Sequence, residues 1–351
     1  MKAITFQSVG QLALEHVPNP KIIESTDVIV QVHTCAVCGS DLHVYHGRET
    51  GIDQHTVMGH EFAGTVVDVG SDVSGLQIGD QVMSPFTTSC GECFYCRHGL
   101  SCRCTRGHLF GWVSGGSGLH GGQAEFVRVP LAGSSLMKVP DGVTMELAVM
   151  LGDIIPTGFH CAQQGIRLSA QRPSTVCVVG CGPVGLMAVL GALQSGLEQV
   201  FAFDPVAPRA ALAAELGARV ISSFEDDGRR MINDLTEGRG FDVMLEAVGS
   251  RESLQFCYDW VRPGGVISAV GVCTESALPF SPAQAYDKNI TYTTGRCPAR
   301  SLMPSLVPIV QEKPEMFTKI ISHRLNLTDG IDAYRRFAAR EPGMMKVMLA
   351  I

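Results

Sequence analysis

The sharpest chemical signal in the chain is a cluster of cysteines. In CGECFYCRHGLSCRC, Cys90, Cys93, Cys96 and Cys104 follow the spacing C-x2-C-x2-C-x7-C, with Cys102 as a fifth member outside it. Thiolates two residues apart converge on one ion from a tight turn, and four of them close a tetrahedral shell around zinc. A packing or redox role fits less well, because these thiols sit beside Gly, Glu, Arg and His and not in an apolar strand. The chain has 13 cysteines, an odd count that points to metal before disulfides if the compartment is reducing.

A second constellation is dispersed. Cys38 lies in TCAVCGSDLH after the alternating residues Val28, Val30 and Val32, and His60 with Glu61 lies in VMGHEFAGTVVDVG. Alone, such a Cys is ordinarily core and such a His a satisfied polar residue. The third element is Asp153 in MLGDIIPTGFH, an acid within an apolar segment at a helix start. A buried carboxylate is costly unless it caps the helix or meets a cation. One sulfur, one nitrogen and one carboxylate leave a fourth position for water, substrate or Glu61, the arrangement of a catalytic zinc site.

A third signal is Gly180-Cys181-Gly182-Pro183-Val184-Gly185, a G-x-G-x-x-G between an apolar strand and a helix. Gly180 permits the tight turn, Gly182 lets the backbone approach a pyrophosphate, and Gly185 lets the helix press on the sheet. The helix N-terminus adds a positive field. Asp204, at the end of the next strand, is placed to accept both ribose hydroxyls of NAD.

The elements that must carry these residues differ between the two halves. In the second half, strands are expected at Thr175 to Gly180, Val200 to Asp204, Arg219 to Ser222, Phe241 to Val248, Gly265 to Gly271 and Ile290 to Gly295. Helical stretches such as Pro208 to Leu216 and Asp226 to Glu237 alternate with them. Six strands complete a doubly wound parallel dinucleotide-binding sheet. Val176 to Leu193 is 18 residues without a charge, yet Pro183 and four glycines interrupt it, so it reads as strand, turn and buried helix and not as a membrane span.

With 351 residues the chain is long enough for two domains. It is 45% hydrophobic and 17% charged, which excludes a disordered chain, and its net charge of −7 without a basic run argues against nucleic-acid partners. The N-terminal segment has no apolar core of signal-peptide length, so a cytoplasmic location is expected.

Taken in order, AVCGSDLH, GHE, the cysteine cluster, DIIPTGFH, GCGPVG and the closing KVML resemble the zinc-dependent medium-chain dehydrogenase/reductase family, the zinc-containing alcohol dehydrogenases. The resemblance implies an α/β chain, with a GroES-like β-rich catalytic domain at 1–155 and 297–351 and a Rossmann NAD-binding domain at 156–296. By the same match Cys38, His60 and Asp153 are catalytic zinc ligands, with Glu61 able to enter the shell. Ser40 and His43 occupy proton-relay positions, and Asp41 orients the ligand His. Thr157 sits at the nicotinamide, and Pro183, Val184, Arg209, Val248, Val270 and Gly271 complete the cofactor set. Phe86, Trp112 and Cys297 fall where relatives line an apolar substrate cleft. Two departures stand out: many members carry Cys where this chain has Asp153, and Gly39 replaces a basic residue that some use on the pyrophosphate.

The expected activity is reversible hydride transfer between a small or medium alcohol and NAD, giving aldehyde or ketone, with two zinc ions per chain. A polyol or amino-alcohol dehydrogenase, or a catalytically silent zinc-binding member, are the alternatives. No nucleic-acid or membrane partner is expected. The little-charged edge strand at Ile290 to Gly295 suggests a homodimer or homotetramer.

Overall fold

The strand Val28–Val37 buries Val28, Val30 and Val32 and runs through the middle of a seven-stranded sheet. The computed structural model to which it belongs describes residues 1–221 and 226–351. Along this sheet the order is Ile321–Asn326, Lys346–Ala350, Val28–Val37, Phe62–Val69, Gln81–Met83 and Met137–Lys138, with Phe126–Val129 also paired to Val28–Val37. Only the first pair is parallel; the others are antiparallel. Apolar side chains of this sheet pack with Phe110, Tyr334 and Phe337 into one core, where Phe62 and Phe110 meet edge to face at 5.0 Å. These elements belong to the unit Met1–Pro156 with Pro298–Ile351.

The second unit, Thr157–Cys297, is built on a six-stranded, all-parallel sheet. Its strands are Val176–Val179, Val200–Phe203, Arg219–Val220, Phe241–Glu246, Val261–Ala269 and Thr291–Thr294, and counted in that sequence their spatial order is 3-2-1-4-5-6. That order is the doubly wound dinucleotide-binding sheet, whose ligand crevice opens where strands 1 and 4 part. Helices Pro183–Gln194, Ala207–Glu215, Asp226–Thr236 and Arg251–Trp260 connect the strands. Cys177 and Cys257 lie in its core and Cys161 is fully buried, which accounts for thiols that no metal cluster uses.

The fifth strand differs from its expected bounds. It starts at Val261, four residues ahead of Gly265, because Arg262-Pro263-Gly264 is a bulge and not a turn: the register steps from Phe241↔Val261 to Val243↔Val266. For the third strand, the expected end at Ser222 lies outside the described residues. Thr291–Thr294 pairs on one side only and forms an edge of its sheet. Among the described residues, no helix is long and apolar enough to cross a membrane.

Candidate active site

Antiparallel pairing explains how Cys38 and His60 meet. Cys35 pairs with Phe62, and the Ala36 N–H donates to the Glu61 carbonyl at 3.1 Å. The end of one strand therefore delivers Cys38 beside the start of the other, which delivers His60. Asp153 comes from the C-cap of the helix Met145–Gly152. Gly152 is required there, since a Cβ would fall 2.1 Å from the Ser84 carbonyl oxygen. Without that close approach the helix end, and Asp153 with it, would stand off from the strands.

The three side chains converge. Cys38 Sγ, a His60 ring nitrogen and an Asp153 carboxylate oxygen lie within 4.8 Å of one another. Asp153 Oδ2 is 3.3 Å from His60 Nε2 and 3.5 Å from Cys38 Sγ. Ser40 Oγ donates to Cys38 Sγ at 3.2 Å and is 3.3 Å from His60 Nε2, so the hydroxyl stands among the same atoms. On the far side of the ring, His60 Nδ1 is 3.1 Å from Asp41 Oδ1.

The electrostatics fit a cation. Burial pushes the Cys38 thiol up, and the Glu61 and Asp153 carboxylates push it further. Asp153, although burial opposes its charge, is held at about 2 by the His60 hydrogen bond and charge. Burial alone would lower His60, but Asp41, Asp153 and Cys38 together raise it well above its ordinary value. A divalent ion bound by this sulfur, nitrogen and carboxylate would supply positive charge among them and would favour the thiolate.

Glu61 is not one of the three convergent residues. Its Oε2 forms an ion pair with Lys346, both side chains being buried, and its Oε1 has no hydrogen-bond partner. Lys346 also donates to the Val37 carbonyl at 3.3 Å. Burial lifts Glu61 to about 7 even against the lysine.

Cys90, Cys93, Cys96 and Cys104 bring their four sulfurs within 4.8 Å of one another. Backbone N–H groups face the sulfurs: Cys90 donates to Cys104 Sγ at 3.2 Å, Cys93 to Cys90 Sγ at 3.4 Å and Arg106 to Cys104 Sγ at 3.4 Å. The N–H groups of Cys96 and Thr105 hold the Cys93 thiol down at about 6. Such donors favour thiolates, the form a metal needs. Cys102 is buried and lies outside this set.

In the second unit, Gly180 has φ +90°, and a Cβ on Gly185 would sit 1.7 Å from the Gly180 carbonyl oxygen, so the turn and the helix contact both require glycine. Gly182 caps the helix Pro183–Gln194, and nothing lies within 4 Å of the position its Cβ would take. Pro183 and Val184 open the first turn of that helix. Asp204 Oδ2 accepts from Cys181 N at 2.7 Å and Oδ1 from Val206 N at 2.8 Å. Arg209 lies in the first turn of Ala207–Glu215. Val248 is 48% exposed just after the fourth strand, and Val270 and Gly271 follow the fifth. Glu246 joins these two loops: its Oε1 accepts from Val248 N and Gly249 N, each at 2.8 Å, and from Ser253 Oγ at 2.7 Å, while its carbonyl accepts from Val270 N at 2.9 Å. Thr157 is half-buried in the helix Ile154–Leu168.

The residues expected to line a substrate cleft are Phe86 and Trp112 in the first unit and Cys297 in the second. Phe86 is buried and edge-on to His60, with ring centroids 6.4 Å apart. Trp112 starts the small hairpin Trp112–Ser114/Ser117–Leu119 and packs against the core of the first unit. Cys297 is buried at the end of the second unit. His43 is buried in the short helix Asp41–Tyr45, and its Nδ1 has no hydrogen-bond partner.

Comparison with known proteins now decides the family. Residues 24–141 match the family described as "Alcohol dehydrogenase GroES-like domain", and residues 183–312 match "Zinc-binding dehydrogenase". The chain belongs to the zinc-dependent medium-chain dehydrogenase/reductase family. Across 97% of its length this dehydrogenase is 40% identical to the zinc-type alcohol dehydrogenase B of Aspergillus flavus, covering 79% of that protein. It is 32% identical to the zinc-type alcohol dehydrogenase-like protein AdhB of Bacillus subtilis, over 99% of this chain and 100% of that one. Among solved structures it is similar to the alcohol dehydrogenase TADH from Thermus sp. ATN1, with TM-score 0.91 and 36% identity over 100% of this chain and 99% of the other. The dehydrogenase is therefore an oxidoreductase with a GroES-like and a Rossmann domain, of a family that uses zinc and a nicotinamide dinucleotide.

Sequence alone assigns no role to four polar residues around these sites: Lys346, Glu246, Gln123 and Tyr334. Lys346 and Glu246 did carry a signal, as charges at the ends of the apolar strands KVMLA and FDVMLE. Gln123 in GGQAEF carried none.

Proposed function

We propose that the chain is an NAD-dependent alcohol dehydrogenase that interconverts a small or medium alcohol with its aldehyde or ketone, holding one catalytic and one structural zinc. The observation that carries this reading is the convergence of Cys38 Sγ, His60 and Asp153 within 4.8 Å, with the Ser40 hydroxyl at hydrogen-bond distance from Cys38 Sγ and His60 Nε2. Zinc held there supplies Lewis acidity, which lowers the pKa of an alcohol hydroxyl toward neutrality.

The chain's own residues divide the remaining work. Asp41 fixes the His60 tautomer through Nδ1, leaving Nε2 as the donor atom. In this reading Ser40 relays the proton that an alcohol loses, accepting it at Oγ while passing its own hydroxyl hydrogen on toward His43. His43, lowered by burial and by Arg48 and His46, is neutral at pH 7 and able to accept a proton at its unpartnered Nδ1. Phe86, edge-on to His60, supplies an apolar surface beside the reacting carbon. In the second unit, the glycine turn and the N-terminus of the helix Pro183–Gln194 suit a pyrophosphate, and Asp204 suits an unphosphorylated ribose. The one-sided strand Thr291–Thr294 supports self-association as a dimer or tetramer.

The test is NADH formation, followed by the absorbance of the reduced cofactor, with ethanol, butanol, a secondary alcohol, glycerol and sorbitol. An apolar pocket gains about 0.8 kcal/mol per buried CH2, so kcat/KM is expected to rise along the short alcohols. Preference for glycerol or sorbitol over butanol would replace the reading with a polyol dehydrogenase, and no turnover of any class by zinc-loaded protein would reject it.

A further inference from the structure

The buried polar chain behind His60 does not stop at Asp41. Asp41 Oδ2 accepts from the Cys38 N–H at 3.0 Å and from Gln123 Nε2 at 3.3 Å, leaving Oδ1 to face His60 Nδ1. Gln123 Nε2 also donates to the Ala36 carbonyl at 3.0 Å, and Gln123 Oε1 accepts from the Tyr334 hydroxyl at 2.9 Å. Gln123 is 0% exposed, Tyr334 1% and Asp41 5%, so bulk water does not compete for these bonds.

The network is directional. Both hydrogens of the Gln123 amide are committed, one to Ala36 and one to Asp41, and its oxygen is committed to Tyr334. A flipped amide would set its oxygen against two acceptors, the Ala36 carbonyl and the Asp41 carboxylate. The amide and the Cys38 N–H thereby occupy the same Asp41 oxygen, and the other oxygen faces the His60 ring. Apolar side chains would fill the same space without desolvating an amide and a phenol, so packing alone does not account for the choice of residues.

We propose that Gln123 and Tyr334 are positioning residues for the metal centre, which lock Asp41 and through it hold His60 Nε2 toward the ion. Tyr334 lies in the helix Gly330–Ala338, 211 residues from Gln123, so a distant segment helps set how long the ion stays. The inference rests on the proposed zinc reading of Cys38, His60 and Asp153.

The experiment measures zinc release from the purified full chain to a chromophoric chelator, alongside thermal melting. Two equivalents are expected, and the cysteine cluster serves as an internal control. Partners that orient a ligand histidine typically change metal affinity 10- to 100-fold; one layer further out, Gln123→Met is expected to speed loss of one equivalent about tenfold and Tyr334→Phe about threefold. The second equivalent should leave at the wild-type rate in both. In the double variant Tyr334→Phe removes the hydroxyl whose Gln123 acceptor is lost in Gln123→Met, so melting should recover relative to Gln123→Met while the fast equivalent stays fast. Equal acceleration of both equivalents, or unchanged release in both single variants, would overturn the positioning role alone. Wild-type protein that binds one equivalent, lost on Cys93→Ser and unaffected by His60→Ala, would overturn the zinc reading and the inference together.

Discussion

Cofactor choice can be worked out from Asp204. An ionised carboxylate offers about four lone-pair sites on its two oxygens. Two are occupied, one by Cys181 N at 2.7 Å and one by Val206 N at 2.8 Å. Each oxygen therefore keeps one site, enough for the two hydroxyls of an adenosine ribose. A hydrogen bond to a charged acceptor contributes roughly 1.5–3 kcal/mol. A 2′-phosphate removes one such bond and sets like charges together, so the lost bond alone predicts a preference for NAD over NADP of about 10- to 150-fold. Asp204→Ser should narrow that ratio by relieving the repulsion. Because Asp204 also ties down Cys181 N in the glycine turn, affinity for both cofactors should fall as well, and the ratio is the diagnostic quantity. Asp204→Asn, with the same shape and no charge, separates repulsion from geometry. The assay is kcat/KM for NAD and NADP, with fluorescence titration of NADH and NADPH. Comparable values for the two cofactors in the unsubstituted enzyme, or a ratio that Asp204→Ser leaves unchanged, would refute the reasoning.

Asp153→Ala should abolish turnover and release one zinc from folded protein, whereas Cys93→Ser should lower the melting temperature, since structural zinc contributes folding free energy directly; metal analysis and melting of both variants check this. His43, lowered from 6.5 by burial and then by Arg48 and His46, stays neutral at pH values where an ordinary histidine is half-protonated. Alcohol oxidation should therefore lose rate only as pH falls below 6.5, and His43→Gln should flatten that limb of the pH profile. Glu246 keeps its acceptor role in Glu246→Gln and loses it in Glu246→Ala. NADH titration should show near wild-type affinity in the first and about tenfold weaker affinity in the second, since roughly 1.4 kcal/mol of loop order is at stake.

How far these sites are legible before folding depends on the distance over which each residue finds its partner. The four-cysteine cluster and the glycine turn are local: their geometry is contained in a few consecutive residues, so spacing alone specifies the chemistry. The parallel sheet is nearly as legible, because buried strands and amphipathic helices alternate along the chain. At Arg262-Pro263-Gly264 the turn-forming residues do not end the strand, because a bulge absorbs them within it. Cys38, His60 and Asp153 come from distant segments, and Asp153 was noticeable because a carboxylate stands among apolar residues.

Lys346 obeys the same logic. A lysine in the strand Lys346–Ala350 that is 1% exposed must have a counter-charge, and it finds Glu61 at a separation of 285 residues. The need for a partner is written in the strand; the partner's identity is not, because it depends on Lys346–Ala350 pairing with Val28–Val37, whose neighbour strand begins beside Glu61. Gln123 lacks even the first half of that signal. A neutral amide after two glycines is unremarkable in a loop, and only tertiary pairing turns it into the bond between Tyr334 and Asp41. In this chain the residues proposed to hold the metal are therefore visible by composition and spacing, while those proposed to aim it emerge only when separate strands and a C-terminal helix bury one polar network together.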